Sequence, residues 1–337
     1  MLTLPGMRIE GIATCVPRAI RSNEDLAETF GAKAMSRFGK STGILNRRVS
    51  TGESSLDLCL AAAEKLFAEG CERASIDGVI FVSQTPDFIL PASAAIAQHR
   101  LGLRTDIIAF DINLGCSGYV YGLLTAAQFL SQRSGRFLLL AGDTITRVCD
   151  SEDRATFPIF GDAGSATLIG SGGDGPASDL HFAVGTDGSG AGAIVVPGSG
   201  FASQCLAPVE GVIDGKLFMD GGSVFSFATT RVPELISGGL DKLGWNPVDV
   251  DSLVLHQANS LILSTIARKV GVAPERVFDS LADYGNTSCA SIPVALADHA
   301  DGAFGRTVLC GFGVGLSWAA MFADLGEIRT FQTEYSG

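Results

Sequence analysis

The chain has 337 residues, a net charge of −12 at pH 7, and 46% hydrophobic against 18% charged residues. This composition is typical of a well-buried core and argues against a disordered chain. The negative charge argues against a nucleic-acid partner, because phosphate contacts need a basic face. No apolar run is long enough to cross a bilayer, and the first residues show no signal-peptide pattern. We therefore expect a cytoplasmic protein without a membrane partner.

Strands and helices alternate in the first half of the chain. Apolar runs predict strands over 9–15, 76–83, 104–112 and 136–141, and a tight turn followed by a strand over 160–169. Helical periodicity predicts helices over 23–30, 54–68, 91–100 and 116–132, the first two capped by Asn23 and Ser54. A Gly/Ser-rich passage over 170–175 is consistent with either a domain boundary or an ordinary surface hairpin.

The second half repeats this order. Helices are predicted over 223–240, 259–270 and 290–299, and strands over 248–255, 306–310 and 316–325. The alternation indicates an α/β fold with mostly parallel sheets and crossover helices. We interpret the chain as two similar halves, 1–174 and 175–337, that form a duplicated unit.

The chain has eight cysteines, which are candidate metal ligands, disulfide partners and nucleophiles. No CxxC pair or Cys/His cluster has metal-ligand spacing, so we expect no metal site. A disulfide framework is also not expected in a chain of this size and compartment. The eight cysteines are Cys15, Cys59, Cys71, Cys116, Cys149, Cys205, Cys289 and Cys310.

Cys116 lies in a strand-to-helix turn, in the segment Asn-Leu-Gly-Cys-Ser-Gly over 113–118. Unpaired N–H groups and the helix dipole at such a position favour a thiolate over a thiol. The neighbouring glycines leave room for a substrate to approach the backbone. Cys116 is therefore a candidate nucleophile, with a small buried hydrophobic residue as the alternative.

Three further segments carry polar groups to strand or helix ends. His256 directly follows an apolar strand in HQAN, where the alternative is a histidine held in a structural hydrogen bond. Asn286 lies in GNTS before a helix, where the alternative is a helix cap. The glycine run GFGVG over 311–315 could point backbone N–H groups at an oxyanion. It resembles a dinucleotide motif only weakly, because no helix follows it.

Taken together and in this order, CSG, HQAN, GNTS and GFGVG resemble the β-ketoacyl-acyl-carrier-protein synthase III family. The resemblance covers nearly the whole chain, including FGDAGSA over 160–166 and STGI over 41–44. It implies a thiolase-like fold: duplicated α/β halves with layered mixed sheets and buried central helices.

The resemblance also implies a reaction. Cys116 would be acylated by a thioester, with His256 and Asn286 as the other catalytic residues and the backbone N–H groups of Cys116 and Val314 as the oxyanion hole. A malonyl thioester would then lose carbon dioxide and condense with the acyl group to give a β-ketoacyl thioester. Acyl-coenzyme A or an acyl carrier protein would deliver the substrates, with no metal or redox cofactor.

The residues at the substrate entrance depart from the family pattern. The tryptophan expected before TGI is absent, although Phe38 could take its place, and Arg154 matches the arginine that faces it across the adenine. Leu261 replaces a docking arginine, while Arg268 and Lys269 match a basic pair on the next helix. These departures indicate a specialised relative.

The acyl pocket also differs. Leu90 stands where the family often has a phenylalanine that reaches across the dimer to bound the pocket, and Phe160 is assigned to the same substrate-binding region. We expect a pocket that accepts medium or longer chains.

Two other functions remain open. One is acyl transfer from Cys116 to an alcohol or amine without loss of carbon dioxide. The other is a supporting subunit of a heterodimer, which is disfavoured because all three catalytic residue types are present. A homodimer is the expected assembly.

Overall fold

The computed structural model describes residues 1–172, 177–201, 213–299 and 303–337. The helices of these ranges are α1 Asn23–Phe30, α2 Ala32–Thr42, α3 Ser55–Ala68, α4 Ser93–Arg100, α5 Gly118–Leu130, α6 Gly221–Leu243, α7 Ser260–Val270, α8 Leu281–Tyr284 and α9 Ser291–Asp298. The strands are β1 Leu2–Val16, β2 Ile20–Ser22, β3 Asn46–Arg48, β4 Gly78–Val82, β5 Ile108–Ile112, β6 Gly135–Asp143, β7 Ala163–Ser171, β8 Ser178–Thr186, β9 Ile194–Val195, β10 Phe218–Met219, β11 Ser252–Leu255, β12 Ala303–Gly313, β13 Ser317–Glu327 and β14 Arg329–Glu334.

Ten of these strands form one mixed sheet, in the order β11-β12-β13-β8-β1-β7-β6-β4-β5, with β14 also paired to β1. The β4–β5, β4–β6, β11–β12 and β1–β14 pairs are parallel, and the other pairs are antiparallel. The expectation of mostly parallel sheets is therefore wrong. Only three residues separate β12 from β13, too few for the crossover that a parallel pair needs.

Three apolar cores join the helices to this sheet. One core joins α3 and α4 to β4, β6 and β7, and a second joins α6 and α7 to β11, β12 and β13. The third core lies between them and holds α5 and α9 against strands from both ends of the sheet. This arrangement confirms the predicted α/β, thiolase-like fold with layered mixed sheets and buried central helices.

The predicted division at 174/175 lies outside the described residues. The strands on either side of it, β7 and β8, do not pair with each other, because both pair with β1 from opposite sides. The connection from β7 to β8 therefore joins strands that lie on opposite sides of β1.

Two helix starts differ from the sequence prediction. Ser22, and not Asn23, caps α1, since its hydroxyl accepts a hydrogen bond from the Asp25 N–H at 3.0 Å. Helix α4 begins at Ser93 and not at residue 91. The Asp111 carboxylate of β5 accepts hydrogen bonds from the Ser93 and Ala94 N–H groups at 2.6 and 2.8 Å. A side chain from another element thus satisfies the first N–H groups of α4.

Seven of the cysteines lie in the described part of the chain and all are free thiols, while Cys205 lies outside it. Within these ranges no helix has the length and apolarity to span a bilayer.

Candidate active site

Cys116 lies in the turn between β5 and α5, two residues before the helix begins at Gly118. Glycine is required at the start of this helix, because a Cβ on Gly118 would lie 2.5 Å from Cγ1 of Val82 in β4. The close packing of α5 on β4 therefore fixes the position of the turn. It places Cys116 beyond the carboxyl ends of the parallel strands β4 and β5.

The end of β12 approaches the same turn. A Cβ on Gly311 would lie 2.6 Å from the Cys116 carbonyl oxygen, and one on Gly313 would lie 2.8 Å from Cys116 Sγ. Only glycine allows this approach. It brings the Val314 N–H to the thiol, where it and the N–H of Cys116 both act as hydrogen-bond donors.

Burial raises the pKa of the Cys116 thiol to about 11, although the N–H groups of Val314 and Cys116 and the Ser288 side chain lower it. The Asp143 carboxylate also raises the pKa through its negative charge. This upward shift is opposite in direction to the effect expected from the position of Cys116 at the helix start. Removal of the sulfur from water outweighs the donors that face it.

His256 directly follows β11, and its backbone N–H donates to the backbone carbonyl of Cys310 in β12 at 2.8 Å. Its ring packs edge-on against Phe312, with 5.6 Å between centroids, and Nδ1 lies 2.7 Å from the Ser291 hydroxyl of α9. Burial lowers the pKa of His256 to about 3, against a smaller opposite effect of a hydrogen bond to the Ser288 backbone. The imidazole is therefore neutral at physiological pH.

Asn286 is held by the turn that contains Phe160. Its N–H donates to the Ile159 carbonyl at 2.9 Å, and its carbonyl accepts from the Gly161 N–H at 3.0 Å. The side-chain Oδ1 accepts from the Ser288 N–H at 2.9 Å. The use of Oδ1 in this bond leaves the amide Nδ2 as the group that can donate to a ligand.

Cys116, His256 and Asn286 all line one cavity of about 390 Å³, a volume typical of small-molecule sites. The structure thus brings together the three side chains that the sequence singled out, together with Val314. A thiol, a neutral imidazole, an amide and two backbone N–H groups converge there. The apolar part of the lining consists of Ile145, Val148, Ile159, Phe160, Ile194, Val195, Val196, Leu217, Met219, Val224, Ala258, Ile262, Phe312 and Val314.

Of the six other candidate residues, only Phe160 lines this cavity. Phe38 is half-buried against the α6–α7 core. Arg154, Arg268 and Lys269 are exposed, and Lys269 donates to the Thr229 carbonyl of α6 at 2.6 Å. Leu90 is 78% exposed on the surface of the chain.

No group of three or more His, Cys, Asp or Glu side chains in the described ranges is placed to hold a metal ion.

Two serines of this site were not predicted from the sequence. Ser288 lines the cavity, and its backbone N–H donates to Oδ1 of Asn286. Its φ is 52°, and in the described ranges it is the one non-glycine residue with a positive φ. Backbone strain of this kind is common at functional sites. Ser291 contacts His256. Neither could be recognised from the sequence, because a serine near a helix start is most often a cap.

Comparison with known proteins places the chain in a family. The model for 3-oxoacyl-[acyl-carrier-protein (ACP)] synthase III matches residues 110–188, and the model for its C-terminal region matches residues 240–325. A relative from Gloeobacter violaceus, a β-ketoacyl-[acyl-carrier-protein] synthase III, is 36% identical over 334 residues, which are 96% of this chain and 100% of the relative.

Solved structures show the same similarity. A 3-oxoacyl-(acyl-carrier protein) synthase from Burkholderia xenovorans LB400 superposes with a TM-score of 0.91 at 37% identity, with 98% of each chain covered. The priming β-ketosynthase of the R1128 polyketide pathway superposes with a TM-score of 0.85 at 28% identity, covering 96% of this chain and 97% of that one. With cysteine, histidine and asparagine side chains in one cavity of this fold, the chain belongs to the β-ketoacyl-[acyl-carrier-protein] synthase III family.

Proposed function

We propose that this protein is a condensing acyltransferase that joins an acyl group on Cys116 to a malonyl thioester. The observation that carries the proposal is the single cavity lined by Cys116, His256 and Asn286, with the Val314 N–H beside the sulfur. Family membership supports the same reaction.

In the first half-reaction, the Cys116 sulfur attacks the carbonyl carbon of an acyl thioester. The C–S bond to the carrier breaks, and the proton of the Cys116 thiol leaves with the carrier thiol. The backbone N–H groups of Cys116 and Val314 stabilise the negative oxygen of the tetrahedral intermediate. These donors are already in place around the sulfur.

In the second half-reaction, a malonyl thioester loses carbon dioxide, and the electrons of the broken C–C bond move onto its thioester carbonyl. His256 and Asn286 Nδ2 donate hydrogen bonds to the oxygen of this enolate. Its carbon then attacks the acyl carbonyl carbon, the C–S bond to Cys116 breaks, and the released thiolate takes a proton from water to restore the thiol. A β-ketoacyl thioester leaves. This chemistry needs no metal or redox cofactor.

Acyl-coenzyme A and an acyl carrier protein are the proposed substrates. Arg154 and Phe38 are assigned to the adenine end of coenzyme A, and Arg268 and Lys269 to the acidic carrier. Arg268 is the stronger docking candidate, because the ammonium of Lys269 already binds the Thr229 carbonyl. Replacing Arg268 by Glu should raise KM for malonyl-carrier protein while leaving KM for malonyl-coenzyme A unchanged.

The cavity supports a medium or longer acyl chain. The apolar part of its wall consists of aliphatic and aromatic side chains, which include those of the segments around Ile145, Ile194, Leu217 and Ile262. Such a wall favours burial of a hydrocarbon. Phe160 is part of this wall. Leu90 is 78% exposed on one chain and is assigned to the acyl pocket of the partner chain in the proposed homodimer.

Incubation with a series of acyl-coenzyme A donors from acetyl upward, read by intact mass, tests the loading step and the chain length together. We expect one acyl group per chain on the parent and none on the Cys116→Ala variant. Labelling by acetyl donors alone would exclude the longer-chain substrate, and labelling of Cys116→Ala would exclude the nucleophile.

Acyl transfer to an alcohol or amine is the second candidate, because the loading step is identical. Release of carbon dioxide from a malonyl thioester by the acylated protein distinguishes the two reactions. Release supports condensation, whereas its absence with transfer to an added acceptor supports simple transfer.

We also propose that two copies of the chain form a homodimer through β5. Among the described residues β5 pairs only with β4 and so forms the edge of the sheet, and edge strands are usually covered. Three consecutive exposed apolar side chains, Phe88, Ile89 and Leu90, add to the apolar surface of the chain. A supporting role in a heterodimer is less favoured, because the residues of the site are complete. The cytoplasmic location stays a prediction.

A further inference from the structure

The Ser291 hydroxyl at the start of α9 contacts two groups on the segment after β11. It lies 2.7 Å from Nδ1 of His256 and accepts a hydrogen bond from the Gln257 N–H at 3.3 Å. Ser291 is 1% exposed, so water does not compete for the hydroxyl.

The hydrogen atoms of this cluster can be assigned by counting donors and acceptors. A hydroxyl has one hydrogen to donate and two lone pairs to accept with. The Gln257 N–H can only donate, so it occupies a lone pair of the Ser291 oxygen. Within the part of the chain that the structure describes, the remaining partner of this oxygen is His256 Nδ1. A buried hydroxyl hydrogen needs an acceptor, and Nδ1 is the acceptor available.

The ring that receives this hydrogen bond is neutral and fixed in place. Burial keeps the pKa of His256 far below neutral, so the imidazole carries one hydrogen, on either Nδ1 or Nε2. Phe312 packs edge-on against the ring. The side chain of Gln257 is bound at both ends, with Nε2 donating to the Leu255 carbonyl at 2.7 Å and Oε1 accepting from the Ser280 N–H at 2.9 Å. The Ser291–Gln257 pair therefore cannot easily rearrange.

We propose that Ser291 is a positioning residue that donates to Nδ1 of His256 and thereby holds the single ring hydrogen on Nε2. The proposal rests on the function proposed above, because a donor on Nε2 is what the enolate oxygen requires. With the hydrogen on Nδ1 instead, Nε2 would present a lone pair to a negative oxygen and would oppose its formation.

The tautomer can be measured without any assay of activity. Nitrogen-15 NMR of the protein labelled at histidine distinguishes a protonated from an unprotonated ring nitrogen, and a His256→Gln sample assigns the signal. At pH 7 we expect His256 in the parent to be unprotonated at Nδ1 and protonated at Nε2. In Ser291→Ala we expect a mixture of both tautomers. A parent protein with the hydrogen on Nδ1 would overturn the proposal even if Ser291→Ala failed to fold.

Kinetics then separate the proposal from the proposed function. We expect Ser291→Ala to lower kcat for decarboxylation of a malonyl thioester by about 10- to 100-fold with little change in KM, since a missing oxyanion donor costs roughly 10²–10³. In the same variant, the rate of Cys116 acylation should fall by a smaller factor than kcat for decarboxylation. Ser291→Thr, which keeps the hydroxyl, should recover most of the loss.

Ser252→Ala is the matched control, because this buried serine of β11 donates to the Phe304 carbonyl at 2.8 Å, away from the site. It should retain parental kinetics. A folded Ser291→Ala variant with parental decarboxylation would contradict the proposal. A parent that does not decarboxylate malonyl thioesters would contradict the proposed function, while the NMR result would still decide the tautomer.

Discussion

Cys116 and His256 line the same cavity as neutral groups at physiological pH. Burial raises the pKa of the thiol to about 11 and lowers that of the imidazole to about 3. The site therefore does not hold a preformed thiolate–imidazolium pair of the kind found beside a charged histidine. Reactivity of Cys116 depends on the donors around the sulfur and on the bound thioester.

The pH dependence of Cys116 alkylation follows from this. We expect the rate with iodoacetamide to rise about tenfold per pH unit from pH 6 to 9.5, because the fraction of thiolate keeps increasing below a pKa of about 11. Intact mass against time at each pH measures the rate, with Cys116→Ser as the control for the other cysteines. A plateau near pH 7 would show that the thiol is already ionised.

The glycine at 313 offers a second test. An alanine there would place Cβ 2.8 Å from Cys116 Sγ, where the attacking sulfur and the acyl group need space. We expect Gly313→Ala to slow acylation at least 100-fold. Gly326→Ala is the control, because a Cβ at Gly326 meets nothing within 4 Å. Equal acylation of the two variants would contradict the close approach of β12 to Cys116.

Individual residues of the site were predictable to different degrees. Cys116 and His256 each follow an apolar strand, and Asn286 precedes a helix. Their positions therefore predicted that the three residues lie where strands end and helices begin. The neutral state of Cys116 was not predictable, because burial depends on elements distant in the sequence. The role of Ser291 was hidden for the same reason, since its partner His256 lies 35 residues earlier in the chain.

At the scale of elements, position was easier to predict than pairing. The helices at Ser55–Ala68 and Gly118–Leu130 and the strand at Gly78–Val82 lie where the apolar patterns placed them. Strand direction was missed, because an apolar strand buried on both faces has the same pattern in a parallel or antiparallel pair. Helix α2 and strand β14 were not predicted, since their apolar residues are few and partly exposed.

The turn before β7 shows how a buried carboxylate joins several elements. Asp162 accepts hydrogen bonds from the Ser50 N–H at 2.8 Å and from the N–H and hydroxyl of Thr146 at 3.0 and 2.5 Å. These bonds tie the residues after β3 and after β6 to the start of β7. Burial nevertheless raises the pKa of Asp162 to about 6.

This pKa predicts a pH dependence of stability. The folded pKa of about 6 exceeds the unfolded value of 3.8, so folding favours the protonated acid. That contribution is complete below about pH 4 and is lost as the pH rises through 6. Relative to Asp162→Asn, the parent should lose about 2–3 kcal/mol of unfolding free energy between pH 4 and pH 7. Urea denaturation of both proteins at pH 4 and pH 7 measures the difference in unfolding free energy between them. A difference that is the same at both pH values would contradict the raised pKa of Asp162.

For the whole molecule, assembly is the property most open to test. We expect the parent to sediment at twice the mass of one chain, and Ile89→Asp with Leu90→Asp to sediment as single chains, because charges would replace apolar side chains that are 76% and 78% exposed on one chain. Val248→Asp is the control, since Val248 is 73% exposed and lies just before β11, at the opposite end of the sheet from β5. A parent that sediments as a single chain would exclude the homodimer.

Strand β1 pairs with β7 along one side, and with β8 and β14 at successive positions along the other, so that Gly11 lies opposite Arg329. During synthesis this strand is made before all three of these partners, and β14 is made more than 300 residues after it. The edge of β1 that pairs with β14 therefore stays without this partner until residues 329–334 have been made. Nascent chains should depend on a holdase chaperone during that interval, and removal of residues 329–334 should prolong the dependence in the released protein.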